Sequence, residues 1–159
     1  MPYSAKAIAN WFLKRDELSP MKLQKLVYFA HGWKLGLRGT PLINEEIEAW
    51  DYGPVVPDLY HEFKQFGSAP ITAFATRWKL DDGKPRLVQP LVPPDAVDTQ
   101  ALLRRIWKVY GHKTGGQLSA ITHLPDSPWS QIRRECNTRG AVIPNERIAA
   151  YFKRLAQRP

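Results

Sequence analysis

Met21-Lys22-Leu23-Gln24-Lys25-Leu26-Val27-Tyr28-Phe29-Ala30-His31-Gly32-Trp33 is the stretch whose reading decides the fold. Ser19, just before it, is a good N-cap, because its hydroxyl can accept from a first-turn amide that has no intrahelical partner. Pro20 then takes the first helical position, where a missing N–H costs nothing. Leu23, Leu26, Val27, Ala30 and Trp33 recur at spacings of three and four, which predicts one apolar stripe facing a core. Gly36 and Gly39 bracket the expected end, with Lys34 and Arg38 where cations suit the carboxyl end of the helix dipole.

Outward from this helix the chain reads as further helices punctuated by proline and glycine. Ser4 caps a first helix to about Lys14, with Ile8, Trp11 and Phe12 as its buried edge. Downstream, Ile47 to Tyr52 alternates Ile47, Ala49 and Asp51 with Glu48, Trp50 and Tyr52, a short strand that Pro54 ends. Pro57 opens a helix to about Phe66, closed by Gly67. Trp78 to Val88 reads as a hairpin turned at Asp82-Gly83, followed by a loop at Pro90, Pro93 and Pro94. Helices are expected from about Asp98 to Tyr110, from Thr114 or Gly115 to Thr122, from Ser127-Pro128-Trp129, and from Pro144 onward. The fold expected is mainly α (α+β): a compact multi-helix domain, single over 1–159, with a short strand and a small β-hairpin.

Composition bounds what such a domain does. At 159 residues and 43% hydrophobic the chain can bury one sizeable core. No apolar run reaches membrane-spanning length, and Asn10, Lys14 and Arg15 interrupt the N-terminal apolar residues, so no secretory signal is read and the expected location is cytoplasmic, with no membrane partner. Cys136 is the single cysteine, which excludes an internal disulfide and a cysteine metal cage. The formal net charge of +8 is dispersed over the helices, without a polybasic tract or a nucleic-acid-binding fingerprint. Solvated helix faces, nucleic acid bound through Arg104, Arg105, Lys108 and Lys113, and an acidic protein partner are all compatible with it.

A search for chemistry finds little. His31, His61, His112 and His123 never approach metal-ligand spacing, so no metal is expected. Cys136 lies near Arg133, Arg134 and Arg139 in sequence but in no nucleophile motif. His112-Lys113-Thr114-Gly115-Gly116 is basic and glycine-rich before a helix, without Walker spacing or a preceding strand. Glu45, Glu46, Glu48 and Asp51 form an acidic cluster beside a loop, which reads as solvated more readily than as an acid–base pair or a cation site. No cofactor and no catalytic residue is assigned. Two aromatic sets remain: Trp50, Asp51, Tyr52, Gly53 and Pro54, and Thr122, His123, Pro125, Pro128 and Trp129. Rings with adjacent polar handles suit anchors at protein–protein contacts, and equally suit packing between helices.

The order of these segments resembles the SocA-like antitoxin family, also called the Panacea domain and related to phage-associated GepA proteins. The resemblance is carried by Met21 to Ala30, Pro41-Leu42, Glu46 to Trp50, and Tyr52-Gly53-Pro54-Val55-Val56-Pro57 with Leu59-Tyr60. Leu118, Thr122-His123, Ser127-Pro128-Trp129, Ile148, Tyr151 and Phe152 follow. It implies a mostly helical, non-enzymatic antitoxin that neutralises a cognate toxin, encoded by an adjacent gene, by binding the toxin protein. Trp50, Asp51, Tyr52, Gly53, Pro54, His123 and Trp129 are the expected partner-binding residues. No appended helix-turn-helix or long disordered tail is read, so operator binding is not expected.

Overall fold

The computed structural model describes residues 1–136 and 138–158, and within them the chain folds as a mainly helical α+β structure. Its elements are α1 (Ala5–Leu13), α2 (Pro20–Arg38), β1 (Ile47–Trp50), β2 (Gly53–Val55), α3 (Pro57–Phe63), β3 (Arg77–Asp81), β4 (Lys84–Val88), α4 (Val97–Tyr110), α5 (Gly115–Thr122), α6 (Pro128–Glu135), β5 (Ala141–Ile143) and α7 (Asn145–Ala156). A 3-10 turn, Lys64–Phe66, separates α3 from Gly67, so the helix expected to reach Phe66 changes its winding for its last residues.

The caps act as the sequence requires. Ser4, Ser19 and Ser127 accept from the amides of Ala7, Lys22 and Ser130. Thr114 and Gln117 form a reciprocal capping box at α5, which occupies the amides of these two residues. Gly39 ends α2 in a left-handed conformation, φ 74°.

One expectation for α2 needs correction. It is buried almost all round rather than along one stripe: Gln24, Lys25, Tyr28, Phe29, His31 and Gly32 are covered as well as Leu23, Leu26, Val27 and Ala30, while Trp33 is half-buried. The reason is its central place, packed against α1, α3, α4, α5, α7 and β2. Its end falls at Arg38, between Gly36 and Gly39 as expected, and Gly36 has a second role. A Cβ there would lie 2.6 Å from Cβ of Phe152, and one on Gly32 would overlap the Phe152 ring, so the two glycines, one turn apart, form a notch that lets α7 approach. Phe152 packs in that notch against Tyr28, Phe29 and Trp33, while Phe29 stacks on Tyr110 at 4.3 Å.

The sheet is larger than expected. Pro54, expected to end the strand that begins at Ile47, lies instead within a second strand, Gly53–Val55, antiparallel to β1, with Trp50 opposite Gly53 and only Asp51 and Tyr52 between them. Pro54 is tolerated because β2 is an edge of the order β2-β1-β5, where a missing N–H breaks no ladder. Strand β5 went unread because three residues carry no periodicity; its pairing with Ile47, Glu48 and Ala49 makes it a strand. The β3–β4 hairpin is as expected, turned at Asp82 (φ 50°) and Gly83 (φ 76°), and it projects with Trp78, Leu80 and Leu87 exposed.

Candidate functional site

Side chains from outside the sheet reach the carbonyls of the two-residue turn between β1 and β2 and of the strand residues that flank it. Trp129 Nε1 donates to the Trp50 carbonyl at 2.6 Å, Ser119 Oγ donates to that of Tyr52 at 2.8 Å, and His123 Nε2 faces that of Asp51 at 3.4 Å. From α2, Lys25 Nζ donates to the Pro54 carbonyl at 3.3 Å. Gln24 pairs like a strand with Val56, accepting from its amide at 2.9 Å and donating to its carbonyl at 3.0 Å.

The Ser127-Pro128-Trp129 motif explains how Trp129 arrives there. Ser127 caps α6 and also donates to the Thr122 carbonyl at 2.7 Å, which ties α6 to the end of α5. The Trp129 ring then lies 3.9 Å from that of His123. Arg133, one turn further on, reaches Asp51 at 3.2 Å.

Gly53 sits at φ 120°, a conformation that L side chains rarely adopt. A Cβ there would come within 2.8 Å of Thr122 Oγ1 and 2.9 Å of Lys25 Cε. Both conformation and space therefore require glycine at this point.

In front of the turn lies a groove of about 310 Å³, walled by Leu23, Trp50, Val55, Leu59, Tyr60 and Phe63, with Tyr52, Lys64 and Arg139 around it. The Trp50 ring stands 4.8 Å from Tyr60, its indole N–H donates to Glu48 at 2.9 Å, and the Arg139 guanidinium lies 5.4 Å from its centroid. Lys25 belongs to the same groove and is 1% exposed. Burial pulls its ammonium down to about 8, because the charged form loses hydration.

All seven residues expected from the sequence meet here, on two sides of one turn. Trp50, Asp51 and Tyr52 line the groove; Gly53 and Pro54 close against Lys25; His123 and Trp129 brace the turn from behind. Sequence reasoning missed Gln24, Lys25, Tyr60, Phe63, Lys64 and Arg139. Gln24 and His31 had a usable signal, since they lie seven apart on one helix face among apolar neighbours.

His31 is fully buried; its Nδ1 accepts from the amides of Leu42 and Ile43 at 3.2 and 3.3 Å, which leaves Nε2 to donate to Asn145 Oδ1 at 2.9 Å. Desolvation holds the imidazole below its ordinary pKa, and the Asn145 bond opposes this in part.

The other constellations come apart in the fold. Glu45 accepts from the Ala5 amide at the start of α1, Glu48 binds the Trp50 indole, Asp51 pairs with Arg133, and Glu46 is exposed. The arginines near Cys136 turn elsewhere: Arg133 to Asp51, Arg134 to the Pro125 carbonyl, and Arg139 over Trp50, while Cys136 itself is exposed. Among the described residues no group of three or more histidines, cysteines or carboxylates is placed to hold a metal ion, and no helix is long and apolar enough to cross a membrane. Arg104, Arg105 and Lys108 lie exposed along α4, and Lys113 is half-buried, its backbone amide donating to the Tyr110 carbonyl.

Residues 23–130 match the family described as "Antitoxin SocA-like, Panacea domain", and the chain belongs to that family. A relative within reach of direct alignment is Antitoxin SocA of Caulobacter vibrioides (strain NA1000 / CB15N), 35% identical over 133 residues, which cover 80% of this chain and 69% of the relative. No solved structure matches the chain.

Proposed function

We propose that this chain is a cytoplasmic antitoxin that neutralises a cognate toxin by direct protein–protein binding, through the groove beside the Trp50–Gly53 turn. The observation that carries the reading is its similarity to Antitoxin SocA along 80% of its length. The groove supports the placement of the contact: Trp50 and Tyr60 pack at its wall, and Tyr52 stands 71% exposed at its rim, the amphipathic rings that serve as interface anchors. Such a role rests on a complementary surface. It needs neither a cofactor nor an acid–base pair, and the reading is of a binding module rather than an enzyme.

The test is co-expression with the product of the adjacent gene. Relief of that product's growth arrest, together with co-purification that survives high salt, is the expected result. A harmless neighbour, or one that neither binds nor is neutralised, overturns it. DNA affinity that falls steeply with salt would instead support a regulator acting through Arg104, Arg105 and Lys108.

A further inference from the structure

Lys25 is a buried cation at the groove whose bond to the turn uses only part of its donor capacity. Its ammonium has three N–H donors, and its hydrogen bond among the described residues is to the Pro54 carbonyl. None of the ion pairs among the described residues includes it, although its side chain is buried. A lysine placed this way destabilises the free protein, and a methionine or leucine would fill the same space without a charge. The charges around it reinforce one sign. Lys25, Lys64 and Arg139 line the groove against a single carboxylate, Asp51, which is itself held by Arg133 at 3.2 Å.

We propose that the groove receives an acidic side chain carried on an apolar segment of the protein partner, with its carboxylate set against the Lys25 ammonium and its flanking apolar groups against Trp50, Leu59, Tyr60 and Phe63. In an apolar surrounding a lysine–carboxylate pair is stronger than at an exposed rim, and its geometry selects among partners. Lys64 and Arg139 at the groove draw the same sign of charge during encounter. The uncompensated charge in the free chain then has a use, since it becomes compensated only in the complex. This inference rests on the antitoxin reading and names the chemistry of the partner at the same groove.

The experiment measures the affinity of the purified chain for the toxin identified by co-expression. Wild-type chain is compared with Lys25→Met, whose fold is checked by circular dichroism, and each Asp and Glu of the toxin is changed in turn to Asn or Gln. The expected result is a loss of about 30-fold or more for Lys25→Met. One toxin carboxylate should give a similar loss against wild-type chain and almost no further loss against Lys25→Met. If wild-type chain fails to bind any toxin, the antitoxin reading falls and this inference with it. If wild-type chain binds and Lys25→Met binds within about threefold of it, the inference alone is overturned. The toxin-side series uses wild-type chain, so it decides the matter even if Lys25→Met does not fold: no single carboxylate whose removal weakens binding overturns the inference.

Discussion

Replacing Lys25 by methionine should make the free protein more stable, an unusual outcome for a buried position. Burial brings the ammonium from its ordinary value of about 10.4 to about 8. At about 1.4 kcal/mol for each pH unit, that gap means the charged side chain costs the folded state about 3 kcal/mol at neutral pH. Methionine removes this penalty and fills similar space, but it forfeits the hydrogen bond to the Pro54 carbonyl, about 1 kcal/mol. The net gain is about 2 kcal/mol, or a rise of about 4 to 8 °C in Tm for a domain of this size. The pH dependence follows from the sign. Because the folded-state pKa is lowered, the unfolded chain binds the proton more readily between about 8 and 10, and wild-type stability relative to Lys25→Met should rise through that window by about 2 kcal/mol. Urea unfolding of both proteins near pH 7 and pH 10 measures this. A variant less stable than wild type at neutral pH, with a difference that does not change on alkalinisation, would refute the reasoning and mark the ammonium as fully compensated inside the fold.

Gly53→Ala should cost about 3 kcal/mol, since it combines an unfavourable φ of 120° with a clash against Thr122 and Lys25; wild-type stability in urea would show that the turn can rotate freely. Asn10→Leu should cost about 3 kcal/mol, because Asn10 donates to the Ala75 and Pro90 carbonyls at 3.0 and 2.9 Å and accepts from the Ala75 amide at 2.7 Å; faster proteolysis between residues 75 and 90 is the second expected sign, and unchanged stability would contradict both. His31 is held neutral by burial, so the unfolded chain takes up its proton first on acidification. Its contribution is fully present above about pH 6.5 and is lost as pH falls below that; a His31→Gln variant should lose this part of the acid sensitivity, and an unchanged pH profile would exclude His31 as its source.

Most of the helical framework was legible because its signals are local. Ser4, Ser19 and Ser127 cap helices, prolines follow two of them, and Asp82-Gly83 turns a hairpin, each within a window of four residues. What escaped depends on distant partners. Strand β5 has only three residues, and it is a strand because Ile47 to Ala49 lie alongside. Nothing near Gly36 shows that Phe152, more than a hundred residues later, needs the space beside it. The aromatic half of the site was legible in Trp50, Tyr52 and Trp129. Its floor was not, because a lysine in a helix reads as exposed unless the surrounding fold covers it.

The bracing of the Asp51–Tyr52 turn has a kinetic consequence. With the carbonyls of Trp50, Tyr52 and Pro54 each anchored to a different helix, this loop has already lost its conformational freedom when the chain folds, and little remains to be ordered on association. The backbone of a surface prepared in this way keeps its place on docking. Differences among the partners it accepts would then be expressed mainly in how long a complex lasts rather than in how fast it forms.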